Sequence, residues 1–296
     1  MGQHAHARSD APAAASDALV SELARIAAGS SDKITGENFP VALRVLPAAV
    51  REQLRRVYAF ARFVDDVGDC AAGDRLALLD AVDRDVAELD GGQPALRPVR
   101  DLAPLVAGFA LPLQPLRDLI EANRRDQLVS RYPTFDDLLD YCRLSAAPVG
   151  RLVLALAGVV DPTAQAESDR VCAALQVLEH CQDVGEDAAV GRVYLPARDR
   201  RAFGVPDADL LAHTTSPGLR AVIAFETARA EQLLDAGSAL VRRLSGWSRC
   251  AVLGYVAGGL ATVSALRRAD YNVLERAVRP TKLGTARHAA RLTMGR

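Results

Sequence analysis

The chain has 296 residues, half of them hydrophobic, and its 36 basic residues nearly balance 37 acidic ones. Such a chain can bury a large core, and it lacks the excess of positive charge that marks a nucleic-acid-binding domain. No apolar run approaches the roughly 20 residues that cross a bilayer, and the N-terminus lacks the order of a secretory signal. The five cysteines form no C-x-x-C pair. We therefore expect a cytoplasmic protein with no nucleic-acid partner, zinc site or disulfide framework.

In chain order, residues 1–30 are rich in Ala and Ser and are interpreted as a flexible N-terminal arm with a short helix at "ALVSELARIAA". Beyond the arm, apolar residues recur at helical spacing between breaks that contain Gly, Pro or Asp. Period-two alternation is nearly absent, which predicts an all-α fold. The predicted helices are at about 47–70, 74–90, 98–110, 113–130, 134–157, 163–188, 216–244 and 247–276. The even composition predicts one domain over 31–280 and a basic C-terminal tail over 281–296.

The first acidic cluster lies in "LRRVYAFARFVDDVGD", residues 54–69. Asp65 and Asp69 are four residues apart, so a helix places their carboxylates one turn apart on the same face, while Asp66 is rotated by roughly 100°. The surrounding residues are too apolar for a solvated face. We therefore expect Asp65 and Asp69 to point into an internal space, where they can share a ligand.

The second acidic cluster lies in "LEHCQDVGEDAAVGRVYLP", residues 178–196. Glu179, Asp183 and Asp187 recur every four residues and stack like charges on one helical face. Burying such charges without compensation costs several kcal/mol per ion, so a partner of opposite charge is expected. Mg²⁺ fits, because it takes oxygen ligands and commonly binds through one or two carboxylates together with substrate phosphate oxygens. Two such helices could form a clamp for a diphosphate.

Two other interpretations of the clusters stay open at this point. Each cluster could be an exposed acidic edge without a ligand. An iron site of the four-helix carboxylate type would use Glu-x-x-His motifs, but Glu179 is followed directly by His180. His180 lies about 100° from the acidic face and is interpreted as a packed or partly exposed side chain rather than a ligand.

The segments "YAFARFVDDVGD" and "QDVGEDAAVGRVYLP" resemble the two Asp-rich signatures of the squalene and phytoene synthase family, and "YCRLSAAPVG" resembles its central helix. The resemblance covers about residues 36–280. It implies a single-domain trans-isoprenoid synthase fold with a central cavity and a prenyl diphosphate as substrate. Within the family, "ENFPVALRVLP" and "DYNVLERAVRPTKL" are most similar to the hopanoid-pathway branch, the squalene or hydroxysqualene synthases.

The resemblance also assigns roles by position. The implied metal ligands are Asp65, Asp69, Glu179, Asp183 and Asp187. The implied catalytic residues are Tyr58, Arg62, Tyr194 and Tyr271, and the implied substrate-binding residues are Asn38, Phe39, Gln176, Arg192 and Tyr141. Glu179 departs from the family, whose members usually carry Asn at this position. Gln182, which is often Arg in the carotenoid branch, fits the hopanoid branch better.

The resemblance implies a Mg²⁺-dependent enzyme, with Mn²⁺ as a substitute metal, that converts presqualene diphosphate to hydroxysqualene without NADPH. One alternative is a head-to-head prenyltransferase that makes presqualene diphosphate, squalene or phytoene. Another is a non-enzymatic helical bundle that binds metal or lipid. The implied functional partners are other hopanoid-pathway enzymes. The basic tail could contact an anionic membrane surface, and a solvated tail is the alternative.

Overall fold

Helices account for nearly all regular structure in the computed structural model, which describes residues 19–29 and 46–294. In these two ranges the helices are α1 (19–29), α2 (Ala48–Cys70), α3 (Arg75–Ala87), α4 (Arg97–Arg100), α5 (Ala103–Phe109), α6 (Gln114–Leu128), α7 (Phe135–Ser145), α8 (Ala147–Leu156), α9 (Pro162–Gln182), α10 (Val184–Ala189), α11 (Ala197–Ala202), α12 (Asp207–Leu210), α13 (Pro217–Gly237), α14 (Leu240–Arg243), α15 (Gly246–Arg268) and α16 (Lys282–Thr293). Outside the helices, these ranges contain one isolated β-bridge, between Arg131 and Val193, and no strand. The prediction of an all-α fold is confirmed.

Side-chain caps mark the starts of three helices, α7, α9 and α13. Thr134 and Asp137 form a reciprocal capping box at the start of α7. Asp161 accepts hydrogen bonds from two backbone amides at the start of α9, and Ser216 caps α13. In α9 and α13 a proline follows the cap, where its missing N–H is not needed. The observed starts of these three helices lie within one residue of the predicted ones.

Prolines interrupt two helices that apolar periodicity predicts as continuous. The predicted helix at 134–157 is broken at Ala146, which lies between the end of α7 and the start of α8. Pro148 lies in the first turn of α8, and in a continuous helix it would lack one hydrogen bond and clash with the carbonyl of residue 144. Pro104 divides the predicted helix at 98–110 into α4 and α5 in the same way.

In the second half of the chain, three more helices differ from their predicted bounds. The predicted helix at 163–188 ends at Gln182 and resumes as α10 after Asp183, whose φ and ψ are −102° and 19°. The predicted helix at 216–244 divides into α13 and α14. The predicted helix at 247–276 ends at Arg268, before Asp270 and Tyr271 adopt positive φ angles of 51° and 53°. The basic tail contains a helix, α16, which packs against α15.

The core consists of two hydrophobic clusters. One is formed mainly by α1 to α6 and includes Phe60, Phe63 and Ile120. The other is formed mainly by α7, α9, α13 and α15 and includes Leu178 and Ile223. Helix α8 contributes buried residues to both clusters. Because α2 belongs to the first cluster and α9 to the second, the two acidic segments approach each other where the clusters meet.

Helix α15 has the length and composition of a membrane span, but 56% of its apolar window is buried inside the fold. Burial of this kind is typical of a core helix. The helix packs against α13, α9 and α16.

Candidate active site

The two acidic segments line one cavity of about 170 Å³. Its walls come from α2, α6 and α7 on one side and from α9, α10 and the segment after α10 on the other. The lining residues are Asp65, Asp69, Asn123, Asp126, Tyr141, Gln176, Glu179, His180, Asp183, Asp187, Arg192 and Tyr194. The five acidic residues singled out in the sequence are therefore brought together, although more than 100 residues of chain separate the two segments.

The α2 wall presents Asp65 and Asp69 to the cavity and turns Asp66 away from it. Asp66 is buried, and one of its oxygens lies 3.4 Å from the Arg62 guanidinium. The amide of Asn123, on α6, donates a hydrogen bond of 3.0 Å to Asp65. Helix spacing thus directs Asp65 and Asp69 into the cavity and directs Asp66 towards the Arg62 side chain.

Gly68 permits the close approach of α2 and α6 at this point. A Cβ at position 68 would lie 2.2 Å from Oδ1 of Asn123, a distance that no side chain tolerates. Gln127, one turn beyond Asn123, donates a hydrogen bond of 3.0 Å to the carbonyl oxygen of Gly68. The glycine therefore lets Asn123 reach Asp65 and orient its carboxylate.

Asp65 opens onto the cavity but is surrounded by protein on its other sides. Burial raises the pKa of its carboxyl group to about 6, with Asn123 opposing the shift and Asp69 adding to it. A nearby positive charge stabilises the ionised form of a carboxyl group whose pKa is raised in this way. A cation in the cavity would supply that stabilisation.

The α9–α10 wall carries Glu179, Asp183 and Asp187 at the predicted spacing. The interruption after Gln182 does not disturb this spacing, because the amide of Asp187 still donates a hydrogen bond of 2.8 Å to the carbonyl oxygen of Asp183. The pKa of Asp183 is raised to about 6, mainly by burial and then by repulsion from Glu179, Glu186 and Asp187. The expected like-charge crowding is present.

Asp126, on α6, is a further acid that the sequence analysis did not single out. It accepts hydrogen bonds from the hydroxyl groups of Tyr141, at 2.7 Å, and Tyr194, at 3.4 Å. Burial raises the pKa of Asp126 and of both tyrosines, so the phenols stay protonated and act as donors. Asn123, Asp126 and Gln127 follow the i, i+3, i+4 spacing on α6, and this polar stripe is the sequence signal for them.

Arg192 connects the two walls. Its Nη2 atom lies 2.7 Å from Oδ1 of Asp69, and its backbone amide donates to the carbonyl oxygen of Asp187 at 2.9 Å. Gly191 precedes it with a φ of 85°, in the left-handed region that glycine tolerates best. The turn after α10 thus places the positively charged Arg192 side chain of the second wall against Asp69 on the first wall.

His180 and Gln176 complete the cavity. The His180 imidazole stacks on the Tyr194 ring at a centroid distance of 3.7 Å. Its Nε2 atom lies 3.3 Å from Nε2 of Gln176, and its Nδ1 atom lies 3.6 Å from Oδ2 of Asp187. Since the Gln176 amide can only donate at Nε2, this contact favours the tautomer with hydrogen on Nδ1, facing Asp187. Of the two predicted placements of His180, packed or partly exposed, the structure has the packed one, and the side chain also contacts Asp187 on the acidic wall.

Three of the implied site residues that the structure describes are not part of this lining. Tyr58 and Arg62 lie on α2 before Asp65 and are partly buried. Tyr271 lies in the segment after α15, near Arg267. Asn38 and Phe39 fall outside the described residues.

A larger groove, of about 660 Å³, adjoins the acidic cavity. Both are lined by Glu179 and Asp183. The opposite side of the groove is residues 273–279, which are joined to α9 by a hydrogen bond from the Gln182 amide to the Val278 carbonyl oxygen. The acidic cavity is therefore one end of a longer depression.

The donor set of the cavity suits a hard divalent cation held jointly with a ligand. Within the described ranges no three His, Cys, Asp or Glu side chains are grouped closely enough to hold a metal by themselves. The oxygen donors stand in pairs on facing walls, and Mg²⁺ commonly uses one or two carboxylates and completes its shell with water and phosphate oxygens. The cavity therefore fits Mg²⁺ in company with a polyphosphate, and Arg192 adds a donor for the same oxygens.

Comparison with known proteins agrees with this geometry. A sequence model described as squalene/phytoene synthase matches residues 33–284. A hydroxysqualene synthase from Sinorhizobium fredii is 35% identical over 212 residues, covering 70% of this chain and 71% of the relative. A 15-cis-phytoene synthase from Synechococcus elongatus is 30% identical over 260 residues, covering 83% of this chain and 84% of the relative.

The fold comparison gives the same family. The crystal structure of squalene synthase HpnC from Alicyclobacillus acidocaldarius superposes with a TM-score of 0.76 at 40% identity, covering 85% of this chain and 96% of that one. A dehydrosqualene synthase superposes with a TM-score of 0.80 at 22% identity, covering 94% of this chain and 98% of that one. At this identity the likeness shows the fold alone. The family match spans both acidic segments and extends to the start of α16, and enzymes of this family act on prenyl diphosphates. The chain is an enzyme that belongs to the squalene/phytoene synthase family.

Proposed function

We propose that this enzyme is a Mg²⁺-dependent hydroxysqualene synthase that converts presqualene diphosphate into hydroxysqualene. The observation that carries the proposal is the pair of facing acidic walls in one cavity, joined by Arg192. Support for this branch comes from the hydroxysqualene synthase and the HpnC squalene synthase, which are more similar in sequence than the phytoene synthase.

The acidic walls and Arg192 would bind the diphosphate end of the substrate. Asp65 and Asp69 face Asp183 and Asp187, and Mg²⁺ bound by these carboxylates would neutralise the charge that develops on the diphosphate as the C–O bond breaks. The Arg192 guanidinium offers hydrogen bonds to the same oxygens. Asn123 orients Asp65 through its amide hydrogen bond.

The aromatic residues beside the acids suit the cationic stage of the reaction. The rings of Tyr141 and Tyr194 line the cavity with their centroids 5.6 Å apart, and an aromatic face attracts a cation by about 0.5–2 kcal/mol. Loss of diphosphate leaves a carbocation. A water oxygen bonds to the rearranged cation and its proton leaves to the diphosphate, giving an alcohol without any reductant. We therefore propose that the reaction needs no NADPH.

The second candidate is a head-to-head prenyltransferase that makes presqualene diphosphate, squalene or phytoene. The observation that favours it is the phytoene synthase match, which extends over more of the chain than the hydroxysqualene synthase match. The acidic walls serve both reactions equally, because both begin with loss of diphosphate. Their products differ, so product identity decides between them.

The test is incubation of the purified protein with Mg²⁺, or with Mn²⁺ in its place, and each of three substrates: presqualene diphosphate, farnesyl diphosphate and geranylgeranyl diphosphate. Each reaction is run with and without NADPH, and the extracted lipids are identified by mass spectrometry. We expect hydroxysqualene from presqualene diphosphate, independent of NADPH. A product from geranylgeranyl diphosphate alone would favour the phytoene reaction, and no turnover of any substrate would contradict both candidates. The product of the proposed reaction would feed other enzymes of hopanoid synthesis.

A further inference from the structure

Helix α16 lies on the surface with one side fixed against α15. On that side the Ser264 hydroxyl lies 3.0 Å from Nε2 of His288, and Leu292 packs against the core cluster. Gly284 also faces α15, since a Cβ there would contact the Cβ of Ala261 at 3.8 Å. These contacts fix which side of α16 faces outward.

The centre of the outward side is apolar. The apolar residues on this side are separated by intervals of seven and then four residues, which keeps them on one line along a helix. They are Leu283, Ala290 and Met294. Leu283 is 73% exposed and Met294 is 69% exposed. Isolated exposed apolar residues are common on protein surfaces, but this line follows the helix from its second residue to its C-cap.

Basic residues flank the apolar line. Lys282 lies at one edge of the outward side and Arg287 and Arg291 lie at the other, and all three are exposed. Residues 276–296 contain six of the 36 basic residues of the chain and none of its 37 acidic residues. The positive charge is thus concentrated here in a protein whose net charge is near zero.

We propose that the outward side of α16 docks on an anionic lipid bilayer. An apolar line between basic flanks is the pattern of helices that lie in the membrane interface, and clustered Lys and Arg residues are attracted to anionic headgroups. A second copy of the chain fits less well, because its own arginines would face these. A nucleic acid would use the basic flanks but would gain nothing from Leu283 and Met294. This inference goes beyond the proposed function and holds for any product of the enzyme.

The test is co-sedimentation of the full-length protein with vesicles of phosphatidylcholine alone and with vesicles that also contain phosphatidylglycerol. We expect binding to the anionic vesicles, and weaker binding at high salt. Arg287→Gln with Arg291→Gln should lower the partition coefficient roughly 20- to 30-fold, at about fivefold for each charge removed. Leu283→Ser with Met294→Ser should also lower it, by about tenfold or more.

Matched variants separate docking from general effects. Arg287→Lys with Arg291→Lys keeps the charge and should keep the binding. Arg97→Gln with Arg100→Gln removes the same charge from α4 on the other cluster and should leave binding unchanged. All variants are checked for unaltered helicity and turnover in detergent. Equal binding to both vesicle types, equal loss in the α4 control, or a change in the solution mass of the α16 variants would overturn the proposal.

Discussion

The imidazole of His180 stacks on the phenol ring of Tyr194 at 3.7 Å, with an angle of 12° between the two planes. The same imidazole lies between the Gln176 amide and the Asp187 carboxylate. One residue therefore links the aromatic part of the cavity to the acidic wall.

We predict that His180 positions Asp187. His180→Phe keeps the ring stack and removes both polar contacts, so the Asp187 carboxylate loses its orienting neighbour. The expected result is a rise of about tenfold or more in the Mg²⁺ concentration for half-maximal turnover, as for other residues that orient metal ligands. Turnover at saturating Mg²⁺ should change much less. Mg²⁺ titration of the activity measures both quantities, and an unchanged titration curve would contradict the prediction.

We predict that Asp65 is indispensable for turnover. Asp65→Asn removes the charge and preserves the shape, and should lower turnover by roughly 100-fold or more, because charge stabilisation of the transition state depends on the bound cation. Asp136→Asn, in the first turn of α7 and outside the cavity, is the matched control and should be neutral. Near-normal turnover of the Asp65 variant would exclude the clamp.

Glu179 lines both the cavity and the groove and raises the pKa of Asp183. Glu179→Asn removes this repulsion, so the Asp183 carboxyl group should ionise at a lower pH. We expect the Mg²⁺ dependence of turnover to change, and the pH dependence of Mg²⁺ binding to shift to lower pH. Identical Mg²⁺ and pH profiles in the two proteins would show that Glu179 has no effect on the metal.

Gly68 and Asn123 should be energetically coupled. Gly68→Ala places a Cβ against the Asn123 amide, and overpacking of this kind costs about 1–3 kcal/mol. Asn123→Ala removes the obstacle, so the double variant should recover stability relative to Gly68→Ala without recovering activity. Urea denaturation of the four proteins measures the coupling free energy. Gly258→Ala, in α15 with open space around it, is the control and should be neutral or slightly stabilising. Additive costs at positions 68 and 123 would refute the coupling.

Glu226 should make the protein less stable as the pH rises. It is 1% exposed on α13, and burial raises its pKa from 4.5 to about 7 despite the opposing effect of Arg229 and with the support of Asp199. Because the folded state keeps the proton longer than the unfolded state, stability is lost between pH 4.5 and 7 and is then constant with respect to this group.

Glu226→Gln removes this titration. The variant should be more stable than the parent at pH 8, on the order of 1–3 kcal/mol, and its stability should vary less between pH 4.5 and 7. Thermal unfolding across this pH range is the measurement. A variant that is less stable than the parent at pH 8 would show that the ion pair with Arg229 outweighs the cost of burying the charge.

The grouping of the acids was predictable because helix geometry is local. Residues four apart on a helix share a face whatever lies around them, so Asp65 with Asp69, and Asp183 with Asp187, could be paired from sequence. The interruption at Asp183 did not matter, since the hydrogen bond between residues 183 and 187 survives it.

The contribution of α6 was not predictable in the same way. Asn123 meets Asp65 across 58 residues of sequence, and Asp126 acquires its role only when Tyr141 and Tyr194 approach it. These are tertiary contacts, which periodicity does not encode. The polar stripe on α6 was a usable signal, but its partners were not visible. The same limit applies to Tyr271, whose surroundings are set by the positive φ angles after α15.

The contact between Arg192 and Asp69 has a consequence for how the site takes up its ligands. A cation that binds Asp69 must compete with a guanidinium group 2.7 Å away, so one positive charge is exchanged for another. The hydrogen bond from the Arg192 amide to the Asp187 carbonyl oxygen keeps the residue in place. Its displaced guanidinium group would then be available to an incoming anion. Metal and diphosphate would then assist each other's entry: the metal frees Arg192, and the diphosphate gives Arg192 a new partner. Under the proposed function, Arg192 would thus pass from Asp69 to the diphosphate as the metal binds, and neither charged group would be left without a partner.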